Sequence, residues 1–138
     1  MPEQRQGAAG VYVPEVNRIY VLGGGNGNGA ELPSVDSMDV ATGQWRSETP
    51  MPTQRTLVTA CTTNGRVYVI GGVGPAGAGT AVESLDTITG EWRTEPSLPD
   101  DRWQSSAVAA AGAIFAIGGN SNGGQLATVV TLPTPPEA

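Results

Sequence analysis

The stretch that decides the fold is Arg66-Val67-Tyr68-Val69-Ile70-Gly71-Gly72, in which an apolar run ends at a pair of glycines. The same pattern occurs as RIYVLGG at residues 18–24 and as AIFAIGG at residues 113–119. The first glycines of the three pairs are separated by 48 and then by 47 residues. A fixed period of this length predicts one supersecondary unit that is repeated along the chain.

Other residues fall into register when the three units are aligned on their glycine pairs. Each unit opens with an arginine that follows a short proline-containing segment, and two units contain a Thr-Gly turn followed by a tryptophan. The recurring positions are the arginines Arg5, Arg55 and Arg102, the aromatic residues Tyr20, Tyr68 and Phe115, the glycines Gly23, Gly24, Gly71, Gly72, Gly118 and Gly119, and the tryptophans Trp45 and Trp92. Agreement in this many columns indicates that the three units share one fold.

Each complete unit contains four strand-like segments. The run before the glycine pair is continuously apolar, which predicts a strand that is buried on both faces. The dipeptide Asn64-Gly65 is a strong hairpin signal, and glycine supplies the positive φ of a tight turn at the Thr-Gly positions. Four strands joined by hairpins within about 47 residues form one antiparallel sheet.

The third unit ends early, because residues 133–138 read PTPPEA where the other units have their turn and tryptophan. Proline cannot donate to a strand ladder, so this tail is not expected to form a fourth strand. The sequence therefore predicts eleven strands in a single repeat array over residues 1–138. We place the units at about residues 5–49, 55–96 and 102–132, followed by the proline-rich tail at residues 133–138.

Composition excludes several classes of partner. The formal net charge is -6 and the seven basic residues form no cluster, so nucleic-acid binding is not expected. No apolar run reaches the length of a membrane span, and residues 1–5 do not begin a secretory signal. These features predict no membrane partner and favour a cytoplasmic location.

Cysteine and histidine usage restricts the chemistry. The single Cys61 excludes an internal disulfide, and it stands in the column of Val11 and Val108, which predicts a small buried side chain rather than a reactive thiol. The chain has no histidine, the commonest imidazole ligand and general base. We expect no metal site, no catalytic residue and no cofactor.

These columns resemble the kelch repeat, whose four-stranded sheet is one blade of a β-propeller. The resemblance rests on the glycine pairs, the aromatic residue three places before each pair, the Pro-x-x-Arg openings, and the Asp-x-x-Thr-Gly-x-Trp stretches at residues 39–45 and 86–92. It covers essentially the whole chain. It implies an all-β fold of three kelch-type blades, of which the last lacks its fourth strand.

The number of blades raises a physical problem. Closed propellers have about four to eight blades, and an arc of three leaves one broad apolar sheet face exposed at each end. Three outcomes follow from this: pairing with a second copy into a six-bladed ring, membership of a longer parent chain, or an unstable remnant. We favour the homodimer.

The resemblance implies that ligands bind at one end of the propeller, where the loops meet the arginine that opens each first strand. The candidate ligand-binding residues at this end are Arg5, Arg55, Arg102, Trp103, Asp101 and Gln54. A guanidinium offers a planar fork of donors that suits carboxylates. The alternative is that each arginine bonds backbone carbonyls or a neighbouring acid and fixes its loop.

Trp103 differs from the other two tryptophans, because its column holds Gln6 and Thr56 in the other units. Packing common to all units therefore does not require an indole here. A stacking platform for a ligand is one interpretation, and covering a blade face is the other.

Two functional classes follow. The first is a non-catalytic interaction module that binds a protein or peptide, or a glycan. The second is an enzyme, since some kelch propellers are copper oxidases or sugar mutarotases. The absence of histidine argues against the copper site. A sialic acid mutarotase-like reaction would use Arg55 or Arg102 to hold a carboxylate and Glu3, Asp100 or Asp101 as the base.

Overall fold

The computed structural model of the chain describes residues 1–134, and it is all-β apart from a single 3-10 turn at Ala78–Thr80. The first sheet is antiparallel in chain order and consists of β1 (Ala9–Val13), β2 (Arg18–Leu22), β3 (Val35–Asp39) and β4 (Trp45–Ser47). The second sheet repeats it with β5 (Thr59–Thr63), β6 (Arg66–Ile70), β7 (Val82–Asp86) and β8 (Trp92–Thr94). The two sheets are the predicted four-stranded blades.

The third sheet has three strands, in the order β13, β10 and β9. Its strands are β9 (Ser106–Ala110), β10 (Ala113–Ile117) and β13 (Val129–Pro133). Pro133 therefore ends the third strand instead of opening the tail, and residues 135–138 of the predicted tail lie outside the described residues.

The loop between β10 and β13 contains an additional hairpin of β11 (Asn120–Ser121) and β12 (Gly124–Gln125). The sequence predicted eleven strands, and residues 1–134 contain thirteen because of this hairpin. Its start is fixed by a bridge between Asn120 and Trp103, and Gly124 closes the turn at a φ of 112°.

The turns follow from particular side chains. Asn64 and Gly65 have φ values of 52° and 74°, which is the geometry of a type I′ hairpin. The Asp86 carboxylate accepts the amide hydrogens of Ile88 at 2.8 Å and Thr89 at 3.1 Å. These bonds explain why an aspartate precedes each Thr-Gly turn, and they lower the pKa of Asp86.

Two apolar cores lie between consecutive sheets. The first contains Ala9, Val13, Tyr20, Leu22 and Val35 from the first repeat, Met51 from the segment before the second, and Val58, Val67, Val69 and Leu85 from the second. The other contains Cys61, Tyr68, Ile70, Val82, Leu98, Ile114, Ala116 and Leu132. The middle sheet therefore contributes one face to each core.

This arrangement explains the burial of the apolar runs. Every residue of β6 is buried, as the sequence predicted. In β2 and β10 only alternate residues reach full burial, because each end sheet is covered on one face. Cys61 is buried, as predicted, and burial raises the pKa of its thiol to about 12.

The two repeat tryptophans have different surroundings. Trp92 packs against the first core and donates its indole hydrogen to the carbonyl of Thr49 at 2.9 Å. Trp45 pairs with Met38 at the equivalent place in the first sheet, on the face turned away from the second sheet. Trp92 therefore packs between two blades. Trp45 faces no neighbouring blade among the described residues.

Candidate functional site

The loops that follow the second strand of each sheet lie beside the segments that lead into the first strands, and we call their common surface the loop face. Backbone bridges tie the two sets of segments together. These bridges join Gln6 to Gly25, Thr56 to Val73, and Trp103 to Asn120. The residue after each opening arginine is thus held against the residue after each glycine pair.

The opening arginines lie beneath this surface. Arg55 is fully buried, and its Nη1 donates to the carbonyls of Gly71 at 3.0 Å and Ala81 at 2.8 Å. Its Nη2 donates to Oε1 of Glu83 at 2.7 Å. The guanidinium therefore joins the glycine pair to the start of β7 within its own sheet.

Arg5 repeats this pattern in the first sheet. Its Nη1 donates to the carbonyls of Gly23 and Ser34, each at 2.8 Å, and its Nη2 donates to Oδ2 of Asp36 at 2.6 Å. Asp36 occupies the column of Glu83, so both sheets contain an arginine and an acid at matching positions.

Arg102 differs from the other two in its charge partner. Its Nη1 donates to the carbonyls of Gly118 at 2.8 Å and Thr128 at 2.9 Å, and its Nη2 donates to the Thr128 hydroxyl at 2.8 Å. Val130 stands where the other sheets have an acid, so Arg102 makes no ion pair with the described residues.

These contacts correct the expectation of an arginine ring open to carboxylate ligands. The terminal nitrogens of Arg5, Arg55 and Arg102 are engaged by acceptors of their own sheets, and all three side chains are nearly inaccessible to solvent. The arrangement matches the alternative interpretation, in which each arginine fixes its loop. It also leaves neither Arg55 nor Arg102 free to hold the carboxylate of an acidic sugar.

A groove of about 230 Å³ opens on the loop face between the second and third sheets. One wall is the loop over residues 72–79, which contains Val73 and Pro75. The opposite wall is formed by Asp101, Trp103 and Asn122. The structure thus brings two of the predicted ligand-binding residues, Asp101 and Trp103, into one site.

Backbone and side-chain bonds hold this wall in place. Trp103 and Asn120 exchange two backbone hydrogen bonds, at 3.0 and 2.8 Å, and Trp103 remains half-buried. Asn122 donates from its side-chain amide to Oδ2 of Asp101 at 3.0 Å. The carboxylate lies against Gly79, where a side chain would come within 2.6 Å of Oδ1. The backbone of Trp103 and the Asp101 carboxylate are therefore held in place before any ligand arrives.

Gln54 is exposed on the same face but does not line this groove. Neither Val73 nor Pro75 was predicted from the sequence to be part of a site. The Gly-Pro-Ala-Gly run at residues 74–77 was the available signal for a shaped wall.

The surroundings of the groove are acidic. Asp100 is exposed, and together with Asp101 it lines a neighbouring depression that also includes Ser121, Asn122 and Leu126. With the three opening arginines buried, the charges that this part of the loop face presents are negative. The site therefore attracts cations.

Residues 1–134 contain no group of three or more His, Cys, Asp or Glu side chains placed to hold a metal ion. Over the same residues the structure has no helix long and apolar enough to cross a membrane.

Comparison with known families gives one match. The family described as the KLHDC2/KLHL20/DRC7 Kelch-repeats domain matches residues 1–134. Comparison with curated proteins gave no significant match.

Proposed function

We propose, from the premise that this chain belongs to the kelch-repeat family, that its loop face binds a protein or peptide without catalysing a reaction. Kelch-repeat domains commonly act as protein-interaction modules, and the family match extends over residues 1–134. The finer proposal concerns the place and the chemistry of binding. We place it in the groove between the second and third blades, at Trp103 and Asp101.

The position of Trp103 is the observation that supports this proposal most. Its backbone makes the bridge that all three blades share, and that bridge is made equally well by Gln6 and Thr56. The repeat structure therefore does not require an indole at this position, and the Trp103 side chain lies half-buried in the wall of a groove. A rigid aromatic side chain with a polar N–H is the residue type that dominates binding energy at protein interfaces.

The charge of the groove favours a cationic segment. The Asp101 carboxylate lies in the same wall as the Trp103 ring, and the face of an indole attracts ammonium and guanidinium groups. A peptide with a lysine or arginine beside an apolar residue satisfies both groups at once. The carboxylate ligands expected from the sequence are not favoured, because the guanidinium groups that would bind them are buried.

The test uses fluorescein-labelled synthetic peptides in which one arginine or lysine is flanked by apolar residues, with glutamate in its place in matched controls. We expect fluorescence anisotropy to show binding of the cationic peptides only. Trp103→Ala should weaken that binding about tenfold or more, as for an interface anchor. Asp101→Asn should weaken it less and reduce its salt dependence.

Ile88→Ala is the control variant, because Ile88 is 74% exposed in the turn between β7 and β8, away from the groove. It should bind the cationic peptides as the unchanged chain does. Equal binding of the glutamate peptides, or unchanged affinity in Trp103→Ala, would contradict the proposed site.

The proposal includes a second copy of the chain as a protein partner. Three blades leave one sheet face uncovered at each end of the described structure, and on the third blade the large apolar side chains of Val108, Ile117 and Val129 are exposed. Two copies together supply six blades, which is within the range of closed propellers. The enzymatic alternative has less support, because its carboxylate-holding arginines are engaged internally.

A further inference from the structure

The outer face of the first blade, which we call the leading face, repeats a face that is buried inside the chain. Its members Ile19, Val21, Met38 and Trp45 occupy the columns of Val67, Val69, Leu85 and Trp92. In the second blade those four residues pack against the first blade. The leading face is therefore built to receive a preceding blade.

The outer face of the third blade, which we call the trailing face, has the complementary relationship. Its members Val108, Phe115, Ile117 and Val129 occupy the columns of Cys61, Tyr68, Ile70 and Val82. In the second blade those four residues pack against the third blade. The trailing face is therefore built to receive a following blade.

Backbone hydrogen bonds cross each internal junction at fixed positions. The second glycine of a pair donates to the carbonyl of the next opening arginine, from Gly24 to Arg55 at 2.8 Å and from Gly72 to Arg102 at 2.9 Å. In the third blade the equivalent donor is the amide of Gly119, which has no hydrogen-bond partner among residues 1–134.

A further set of bonds links the residues two places after each opening arginine. The amide of Leu57 donates to the carbonyl of Gly7 at 2.8 Å, and the amide of Gln104 donates to the carbonyl of Leu57 at 3.0 Å. All three residues have positive φ, at 71°, 55° and 52° in chain order, so the chain turns identically at each junction. In the described part of the chain, the series ends with the Gly7 amide at one end and the Gln104 carbonyl at the other, neither bonded.

The groups left over at the two ends are complementary. The trailing face presents a donor at Gly119 and an acceptor at Gln104, and the leading face presents an acceptor at Arg5 and a donor at Gly7. A backbone group that is buried without a hydrogen-bond partner is destabilising, so these atoms favour a partner that pairs with all of them. The trailing face meets that condition for the leading face in the arrangement that both internal junctions already use, in which each blade bonds to the next through these same four positions.

Two side-chain observations agree with this pairing. Met51 and Leu98 stand four residues before Arg55 and Arg102 and are buried between blades, at 3% and 4% exposure, whereas the equivalent Met1 is 55% exposed. A side chain at Gly71 would collide with the carbonyl of Arg102. A Cβ added at Gly118 would have only the carbonyl oxygen of Leu126 near it, at 3.6 Å. Both differences correspond to a missing neighbour.

We propose that the trailing face of one copy docks on the leading face of a second copy, and that two such junctions close a six-bladed ring. This inference rests on the part of the proposed function that makes a second copy a partner. A head-to-tail contact produces either a closed ring or an open filament. Two copies give six blades and three would give nine, so closure within about four to eight blades requires two.

The test is the molar mass of the chain in solution, measured by light scattering beside far-UV circular dichroism. We expect twice the 14.1 kDa of one chain. Val21→Arg on the leading face and Val129→Arg on the trailing face should each give one-chain mass with an unchanged β spectrum. Ile88→Arg is the matched control, since it adds the same charge to an exposed apolar residue that belongs to neither face, and it should keep the two-chain mass.

Mixing the two face variants separates this pairing from a symmetric one. A Val21→Arg copy keeps its trailing face and a Val129→Arg copy keeps its leading face, so an equimolar mixture should regain two-chain mass through one intact junction. A contact of one face with itself would be lost in only one of the two variants. In that case the mixture would contain dimers of the other variant alone, and the proposal would be wrong.

The amides of Gly7 and Gly119 give a second measurement that does not depend on the variants. Both should exchange hydrogen more slowly in the unchanged chain than in Val129→Arg, since the junction bonds them. A well-folded unchanged chain of one-chain mass, with fast exchange at both amides, would overturn the inference. Such a chain could still bind the cationic peptides at Trp103, so failure of the ring and failure of the groove are separate results.

Discussion

The guanidinium Nη2 of Arg55 lies 2.7 Å from Oε1 of Glu83, and the two side chains are only 0% and 7% exposed. Burial lowers the pKa of Arg55, and the neighbouring Glu83 carboxylate acts in the opposite direction. A buried charge that keeps its partner is tolerated, whereas one that loses its partner is strongly destabilising. This pair therefore holds the glycine loop of the second blade rather than serving a ligand.

Arg55→Met should lower the free energy of unfolding by about 3–5 kcal/mol, because it leaves Glu83 buried without a cation. It also removes the donors that bind the carbonyls of Gly71 and Ala81. Urea denaturation followed by circular dichroism measures the loss. Arg46→Met is the control, since the Arg46 side chain is 56% exposed and its ion pair with Glu48 should contribute no more than about 1 kcal/mol. Equal free energies of unfolding for the two variants would show that the buried pair stabilises the fold no more than the exposed one does.

The fold was predictable from the sequence because each blade repeats the same positions for the same physical reasons. The aspartate before each Thr-Gly turn caps that turn through backbone amides, and Asn64 and Gly65 form the hairpin that their positive φ values allow. The hairpin of β11 and β12 was missed, because it occurs in one repeat only and has no matching column.

The candidate site was predicted less well. An arginine that recurs in every unit indicates that its surroundings are the same in each unit, but it does not indicate whether the side chain is exposed to solvent or buried. The missing information was in the sequence at Asp36 and Glu83, which are 47 residues apart, the same spacing as Trp45 and Trp92. An acid that recurs in the same units as a recurring base indicates internal pairing. Trp103 was identified because the equivalent residues of the other units are Gln6 and Thr56, and in the structure it lines the groove.

Cys61 should be unreactive toward Ellman's reagent in the folded chain at pH 8. Burial raises the pKa of its thiol to about 12, so almost no thiolate is present, and the side chain lies in the second core. Absorbance at the wavelength of the released thiolate should rise only after denaturant is added. Rapid labelling without denaturant would mean that the contact between the second and third blades opens readily.

Asp86 should make stability dependent on pH in the acid range. Backbone hydrogen bonds from Ile88 and Thr89 lower its pKa in the folded state relative to the unfolded state. The folded chain therefore gains stability from this carboxylate above its unfolded pKa and loses it as pH falls through the folded pKa. Thermal unfolding of Asp86→Asn and of the unchanged chain between pH 7 and pH 2 measures this. The difference in melting temperature should shrink toward the acid end, and a constant difference would contradict it.

Gly71→Ala should destabilise the chain more than Gly118→Ala, although the two glycines have nearly the same backbone conformation, at φ values of 64° and 62°. Alanine in the left-handed region costs about 1–2 kcal/mol at either position. Only at Gly71 would the new methyl group also collide with the Arg102 carbonyl of the next blade.

The comparison is made by urea denaturation in the Val21→Arg background, in which both chains are expected to be single copies. Gly71→Ala should then lower the free energy of unfolding by on the order of 3 kcal/mol. Gly118→Ala should lower it only by the cost of the left-handed backbone conformation, about 1–2 kcal/mol. In a chain without Val21→Arg, Gly118→Ala should in addition weaken pairing, because the Arg5 carbonyl of the second copy would occupy the space that is open beside Gly118. A Gly118→Ala chain that keeps its full two-chain mass on dilution would show that no following blade approaches this glycine.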